Sequence, residues 1–543
     1  MLYLTTFLFA LFVTMALTPL LRTAALRLGV VDVPAPRKVH QLPMPRAGGV
    51  ALVPGVLFPV ALWAPPGPPL QGLLLGAGVM ALFGLADDVY ELGYKAKFAG
   101  QFLAAGVVVL YGGVQIRSLG MLLPDGLFLP GWLAIPLTLV VIVGATNAVN
   151  FSDGLDGLAG GICFLAFSCI GYLAYRGENG FVAVAAAAAV GGIFGFLRFN
   201  TYPALLFMGD TGSQFLGFLV ITLALVLTQG NTPLSPALPL LIAGLPVLDT
   251  LAVMGTRIAK GGSPFVADRN HFHHRLIRVG FFHADAVRII YVAQAALVTA
   301  AYLLRFHSDW LILCVYLGFA FLALLFFFVI ERSGWRFQEY AGWLMALKVR
   351  VRRLRERGIL VKAAFRGVWA GLPTLFVFSC VLPSSIPRSF GLFAAAVLVL
   401  VLTAWFLRDA WRANAVRLAV YLMAPFAVYL GDTGAGGWAG QELMALHNAA
   451  FGVLVVLILL VVKFSRRQTF QSTPLDMLIL FLALVVPNLL DGPQRMGLVA
   501  AKMIVLFFGY EVLMSESRGE LKWVGSSTVM ALAITVLRGA LGQ

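Results

Sequence analysis

Leu70-Gln71-Gly72-Leu73-Leu74-Leu75-Gly76-Ala77-Gly78-Val79-Met80-Ala81-Leu82-Phe83-Gly84-Leu85-Ala86-Asp87-Asp88 is an almost wholly apolar run that ends at two adjacent carboxylates. Its length approaches that of a membrane span, and no charge interrupts it before Asp87. Carboxylates at a membrane border are costly and need a reason. Three further polar clusters border apolar runs downstream: Asn147-Ala148-Val149-Asn150-Phe151-Ser152-Asp153-Gly154-Leu155-Asp156-Gly157, Phe207-Met208-Gly209-Asp210-Thr211-Gly212-Ser213 and Arg269-Asn270-His271-Phe272-His273-His274. Four such clusters meeting on one face predict a metal-dependent active site at the membrane surface.

The remaining sequence supports the same fold class. Of 543 residues, 60% are hydrophobic and only 12% charged, and the mean hydropathy is +0.91. A soluble domain is usually about a quarter charged. The chain therefore reads as an all-α polytopic membrane protein, with the lipid bilayer as its first partner. About eleven spans have cores near 2–21, 48–63, 70–86, 98–114, 130–146, 159–175, 181–197, 206–228, 236–255, 287–304 and 310–330. About seven more follow near 367–383, 389–407, 418–430, 447–462, 475–487, 497–514 and 524–539. The span at 418–430 is short, and reads either as re-entrant or as longer than those bounds. Residues 2–21 lack a basic leading region and a small-residue cleavage site, so they read as a retained helix. Cys163, Cys169, Cys314 and Cys380 lie in apolar runs without metal-ligand or disulfide spacing, and read as small core hydrophobes.

Loop charge sets the orientation. With the N-terminus outside, the inside loops hold most of the 39 Lys and Arg, while outside loops hold singles such as Arg117, Arg176, Arg305, Arg388 and Arg495. All four polar clusters then fall on the cytoplasmic side, although they did not enter the choice. The same rule accounts for the net charge of +15, and a nucleic-acid partner is not expected because the basic residues sit in short loops. Residues 331–366 contain Lys348-Val349-Arg350-Val351-Arg352-Arg353-Leu354-Arg355-Glu356-Arg357. They mark a boundary between a catalytic transmembrane region, 1–330, and a C-terminal transmembrane region, 367–543. This linker reads equally as an amphipathic surface helix or a stop-transfer charge cluster.

The clusters carry chemistry by residue type. Paired carboxylates such as Asp87 and Asp88 suit Mg²⁺, which prefers oxygen ligands and commonly also binds substrate phosphates. One of them serves equally well as a general base. Alone, the pair is no better than two solvated loop acids. Asn147 and Asn150, like Asp153 and Asp156, are spaced to share a helix face. Gly-Asp-Thr-Gly at 209–212 is a weak signal, since Gly431-Asp432-Thr433-Gly434 repeats it; that second copy, placed outside by the topology, reads as a loop coincidence. Clustered histidines suggest zinc, but the other clusters offer carboxylate and amide oxygen, so Mg²⁺, or Mn²⁺ in its place, fits better. The histidines and Arg269 then read as groups that face phosphate. Together these features indicate phosphoryl transfer from a soluble diphosphate to a lipid phosphate.

Residues 1–330 resemble the polyprenyl-phosphate N-acetylhexosamine-1-phosphate transferases. The motifs appear in order: Arg37-Lys38-Val39-His40 through Gly49, Asp87-Asp88 with Lys97 and Gln101, Asn147 to Gly157, Phe207 to Ser213, and Ser263-Pro264-Phe265 through His274. The resemblance implies an eleven-helix phosphoglycosyltransferase-type core. It also implies transfer of a sugar-1-phosphate from a UDP-sugar to undecaprenyl phosphate, with release of UMP, at a bacterial plasma membrane. By the same resemblance Asp210 and Asn150 would hold Mg²⁺, Asp87 and Asp88 would sit at the reacting centre, and Lys38 and Lys97 would contact substrate. Phe207 would stack on uracil, Asp156 would hydrogen-bond it, and Asp153 and Asn147 would shape the pocket. His271, His273 and His274 with Arg269 would line the sugar-diphosphate site. A homodimer is a further expectation of the family.

The His-Phe-His-His form resembles the branch whose sugars carry no peptide, so a muramoyl-pentapeptide substrate ranks lower and UDP-GlcNAc ranks first. Direct in-line displacement and an aspartyl-phosphate intermediate are both compatible with the motifs. A lipid transporter or flippase is the rival class; it calls for ionisable residues near the bilayer midplane. The spans after about residue 331 have no counterpart in a typical family member.

Overall fold

In the computed structural model, the described residues are 2–33, 43–124, 127–230, 232–263, 270–333, 359–405, 409–434, 439–464, 496–516 and 522–541. They fall into two compact units, 2–333 and 359–541. Most of the basic segment expected at 331–366, the span expected at 475–487, and Lys38 and Arg269 lie outside the described residues. Among the described residues helices dominate, and twelve of them are long and apolar enough to cross a membrane. All four cysteines are free.

The first unit contains α1 (Leu2–Leu28), α2 (Gly48–Trp63), α3 (Pro68–Tyr90), α4 (Tyr94–Gly106), α5 (Gly131–Phe151), α6 (Leu158–Arg176), α7 (Gly180–Asn200), α8 (Gly209–Thr228), α9 (Leu238–Ile242), α10 (Gly244–Ala259), α11 (Phe272–Val279), α12 (His283–Leu303) and α13 (Asp309–Ser333). Two expected spans are not single α-helices. The one at 98–114 is α4 continued by a π-helical turn, Val107–Tyr111. The one at 236–255 is broken at Ala243 into α9 and α10. Apolar content reveals a span but not where its hydrogen-bond register changes.

Helix α8 is the axis of this unit and is buried along nearly its whole length. It packs against α2, α3, α5 and α6. Lipid tails are as apolar as leucine, so helices in a membrane associate through close packing of small residues. Gly191 and Gly195 of α7 follow this rule: Cβ atoms there would run into the α1 backbone at Phe7 and Leu11. The same device seats α8. A Cβ on Gly84 of α3 would lie 2.6 Å from Thr211 Cα, and one on Gly49 of α2 would collide with the backbone of Gly212.

A small antiparallel pair, β1 (Val31–Asp32) with β2 (Met44–Pro45), places Val31 opposite Pro45 and Asp32 opposite Met44. Arg46 follows it, bonded through Nε to Asp32 Oδ1 at 3.1 Å. The strand then docks on the segment before α8: Phe207 N donates to Pro45 O at 2.9 Å, Gly48 N to Phe207 O at 3.0 Å and Gly49 N to Met208 O at 2.8 Å. The loop preceding α2 thus fixes the entry of α8.

The second unit contains α14 (Ile359–Val381), α15 (Arg388–Trp405), α16 (Asp409–Thr433), α17 (Gln441–Phe464), α18 (Met496–Glu516) and α19 (Lys522–Leu541). The short span expected at 418–430 is the longer helix α16. The second Gly-Asp-Thr-Gly is not a solvated loop. Asp432 lies at the end of α16 with its side chain 6% exposed and paired with Lys502. A four-residue motif carries no information on burial, so the sequence reading missed it.

Candidate active site

Asp87 and Asp88 occupy the last turn of α3 and are 2% and 5% exposed. Although adjacent, they have different partners. Asp88 Oδ1 accepts from Asp210 N at 2.8 Å, and Oδ2 accepts from Thr211 N at 2.9 Å and Thr211 Oγ1 at 2.6 Å. Asp88 therefore caps the first turn of α8 from a neighbouring helix. Helix N-termini leave N–H groups without intrahelical partners, and Met208, the residue in the cap position, supplies no side-chain bond. The carboxylate also meets the positive end of the helix dipole. Gly209 makes room for it: its φ is +73°, and a Cβ there would lie 2.6 Å from Asp88 Oδ2.

Asp87 points elsewhere. Its Oδ1 is buried with no hydrogen-bond partner, and its Oδ2 forms an ion pair with Lys97 of α4. Lys97 Nζ also lies 3.3 Å from Asp210 Oδ2. Asp210 Oδ1 accepts from Asn150 Nδ2 at 2.5 Å, and the same nitrogen lies 2.8 Å from Ser213 Oγ. Four segments thus bring Asp87, Lys97, Asn150 and Asp210 together. Asn147, one turn before Asn150, braces this group from behind. It exchanges hydrogen bonds with Gln101, at 2.6 and 3.2 Å, and Gln101 reaches Gln214 at 3.1 Å.

Of the remaining loop acids, Asp153 is half-buried. Burial pushes its carboxyl up to about 7, with the charges of Asp210, Asp88 and Asp156 adding to the effect. Asp156 Oδ2 accepts from Ala204 N at 3.0 Å, and its own N–H donates to His283 Nε2 at 3.0 Å. As placed, its carboxylate holds the 202–204 loop. Phe207 has a half-buried ring, and its backbone is bonded on both sides.

The histidines form a stack. The rings of His271 and His273 lie 5.8 Å apart, those of His273 and His274 4.1 Å apart, and His271 meets Phe151 at 5.8 Å. Asp249 of α10, passed over in the sequence, organises them. Its Oδ2 lies 3.0 Å from His271 Nδ1, and its Oδ1 accepts from Phe272 N at 2.8 Å. A carboxylate only accepts, so the imidazole proton sits on Nδ1 and Nε2 faces away from Asp249. Asp249 caps α11 as Asp88 caps α8, in each case with an acid from another helix. The available signal was a lone carboxylate in an apolar span. Asp249→Asn should lower turnover about tenfold while an Asp249→Glu variant recovers part of it; equal turnover in Asp249→Asn and wild type would contradict the positioning role.

His273 is 2% exposed, and its Nε2 has no hydrogen-bond partner. Burial, with His274, His271 and His283 nearby, holds it well below its usual 6.5. The same burial favours the neutral imidazole at this position. The unfolded chain binds this proton more readily than the fold does, so stability falls as pH drops below about 6.5. His273→Gln should narrow the difference in melting temperature between pH 7.5 and pH 5.0. An unchanged difference would contradict a buried neutral imidazole.

The amino-acid sequence matches known proteins. The description "Glycosyl transferase family 4" matches residues 70–228, which run from α3 through α8. A probable undecaprenyl-phosphate N-acetylglucosaminyl 1-phosphate transferase of Bacillus subtilis (strain 168) is 33% identical over 311 residues, covering 57% of this chain and 87% of that protein. An undecaprenyl-phosphate alpha-N-acetylglucosaminyl 1-phosphate transferase of Salmonella typhimurium is 34% identical over 348 residues, 62% of this chain and 92% of that protein. Its Yersinia pestis counterpart is 33% identical over 350 residues, 63% and 93%. The chain belongs to glycosyl transferase family 4. More than a third of it lies outside each of these alignments.

Proposed function

We propose that the first unit transfers N-acetylglucosamine-1-phosphate from UDP-N-acetylglucosamine to undecaprenyl phosphate, releasing UMP, at the cytoplasmic face of a bacterial plasma membrane. The observation that carries this reading is the convergence of Asp87, Lys97 and Asp210 from three helices, in a chain whose relatives bear that activity in their names. Loop charge supports the cytoplasmic placement.

A divalent ion fits this residue set. Asp87 and Asp210 share one ammonium, Lys97, so two carboxylates face a single cation at the point where they converge. Among the described residues, no three His, Cys, Asp or Glu side chains form a group able to hold a metal. Mg²⁺ does not need one, because it commonly uses one or two carboxylates and completes its shell with water and substrate phosphate oxygens. Asp210 and the unpartnered oxygen of Asp87 are the carboxylate candidates. Asn150 would join through its oxygen if its amide turned over, since its nitrogen now faces Asp210. When bound, Mg²⁺ would neutralise the diphosphate and the charge that develops in transfer.

In this reading Asp87 takes the acid proton of the lipid phosphate, and a lipid phosphate oxygen attacks the sugar-bearing phosphorus in line. The bond to the UMP oxygen breaks as the new phosphoanhydride forms. Lys97, which contacts both the Asp87 and the Asp210 carboxyls, holds the phosphate oxygens and offsets the repulsion between the two acids. Asp88 acts through α8, fixing where Asp210 stands. His271, oriented by Asp249, and His274 face the sugar diphosphate. The test is UMP release by the full chain in detergent, with undecaprenyl phosphate and a panel of UDP-sugars. Release that requires lipid and UDP-N-acetylglucosamine, and falls to background in EDTA, is expected. Release unaffected by EDTA would remove the metal, and no release with any donor would overturn the reading.

A further inference from the structure

Helix α11 begins at the histidines and runs for only eight residues, Phe272–Val279. An isolated helix this short is marginal, so its neighbours decide its direction. Asp249 of α10 fixes its start, and a second anchor lies on α13. Arg275 Nε meets Glu331 Oε1 at 2.8 Å, and its Nη2 meets Oε2 at 2.9 Å. Each guanidinium nitrogen thus has its own carboxylate oxygen. The guanidinium also lies over the Phe327 ring, 4.3 Å from its centre. Phe327 stacks in turn on Phe272, with ring centres 4.9 Å apart, and both rings are buried.

The spacing makes these contacts a pair of matched faces. Phe272 and Arg275 are three apart on α11, and Phe327 and Glu331 are four apart on α13, so each pair lies on one side of its helix. His271 and His274 share the same spacing one residue earlier, about 100° round α11. Locking Phe272 and Arg275 against α13 therefore sets the direction in which His271 and His274 point. Any turn of α11 about its axis breaks the fork and the ring stack together. Glu331 stands in the last turn of α13, beside Arg332. A carboxylate there faces the negative end of the helix dipole, so it needs a cation from elsewhere, and Arg275 supplies it. Surface ion pairs commonly hold little, but a two-pronged arginine–carboxylate pair is the exception, and the Arg275 side chain is only 16% exposed. A lysine at 275 would supply neither the planar fork nor the stack on Phe327.

We infer that Glu331 and Phe327 are positioning residues for sugar-phosphate transfer, acting through Arg275 and Phe272 on His271 and His274. The inference rests on the reading that those two histidines face the sugar diphosphate. The Arg275 fork runs to Glu331, whereas Asp87, Asp210 and Lys97 are bonded among themselves and to Asn150. Loosening α11 therefore misplaces the groups that meet the donor and leaves the carboxylate centre that meets the lipid phosphate as it was. The consequence is selective: transfer loses efficiency toward the UDP-sugar and not toward the acceptor.

Two measurements on the full chain in detergent test this. Diethyl pyrocarbonate labelling, read residue by residue by mass spectrometry, follows the imidazoles without any turnover. His271 is 8% exposed, and its labelling should run about fivefold faster in Glu331→Gln and in Arg275→Lys than in wild type. The exposed His307 should label at the same rate in all three. UMP release is the second measurement. In both variants kcat/KM for UDP-N-acetylglucosamine should fall about tenfold, while KM for undecaprenyl phosphate stays put. In a His271→Gln background the same substitutions should cost less, because part of their route is already gone. An equal cost in both backgrounds would make the clamp merely structural and overturn the proposal. So would unchanged labelling and unchanged donor kinetics. Faster labelling with unchanged donor kinetics would overturn it too, and would remove the histidines from the donor site while leaving the transferase reading intact. No UMP release by wild type would overturn the transferase reading and this inference with it, whatever the labelling shows. If one of the two variants does not fold, the other carries the test.

Discussion

Asp87→Asn should reduce UMP release by about a thousandfold while the protein remains folded. Asp87 Oδ1 is buried without a hydrogen-bond donor, Oδ2 meets the Lys97 ammonium, and the Asp210 carboxyl lies within hydrogen-bond reach of the Asp87 carboxyl. An amide of the same size loses the charge and the ability to take a proton; it gives up the ion pair to Lys97 on α4 but leaves the bonds that seat the first turn of α8 on Asp88 untouched. Asp88→Asn is the informative contrast. Asp88 accepts from two backbone N–H groups and a hydroxyl. An asparagine keeps one accepting oxygen and turns an NH₂ toward a donor, so about 1–3 kcal/mol of stability should be lost. Its turnover should fall less than that of Asp87→Asn, and in step with stability. Activity and thermal unfolding of the two variants measure this directly. Equal turnover losses with equal stability losses would contradict the division of labour between the two acids.

Gly84→Leu should leave little folded protein. The first turn of α8 lies against α3 at Gly84, where the nearest atoms are the Thr211 Cα and N and the Asp210 carbonyl oxygen. These are backbone atoms in a helix that is itself enclosed, so no rotamer change can relieve the contact. Overpacking a core commonly costs about 1–3 kcal/mol, and a clash between backbones belongs at or above the upper end. The displacement also pulls Asp210 N and Thr211 N away from Asp88. Gly84→Ala is the milder test and should lose activity before it loses fold, because the catalytic spacing is less tolerant than the bundle. Size-exclusion profiles and UMP release would separate the two outcomes. A monodisperse, fully active Gly84→Leu protein would mean that α3 and α8 do not meet this closely.

The membrane fold was legible because hydropathy is additive along a chain. Span positions and loop charge are local sums, and each of the twelve membrane-length helices among the described residues lies at one of the roughly eighteen expected spans. The breaks in the spans near 98–114 and 236–255 were not legible, because a π-turn at Val107–Tyr111 and a stop at Ala243 depend on neighbours. The clusters at 87–88, 147–157, 207–213 and 269–274 announced themselves as costly polar groups beside apolar runs. Asp249 sent the same signal from within α10, but a lone acid has no visible partner in one dimension. Asp432 did the same in the second unit.

By itself the sequence determined that this protein lies in a membrane, which segments are apolar enough to cross it, and which residue types could carry phosphoryl chemistry. The tertiary structure decided what each of those residues does. Asp87 and Asp88 are identical in type and adjacent in sequence, yet one caps a helix and the other faces a lysine. The reason is geometric: successive side chains on a helix point about 100° apart. Only the packing of α8 and α4 around α3 decides which direction meets a backbone N–H and which meets an ammonium.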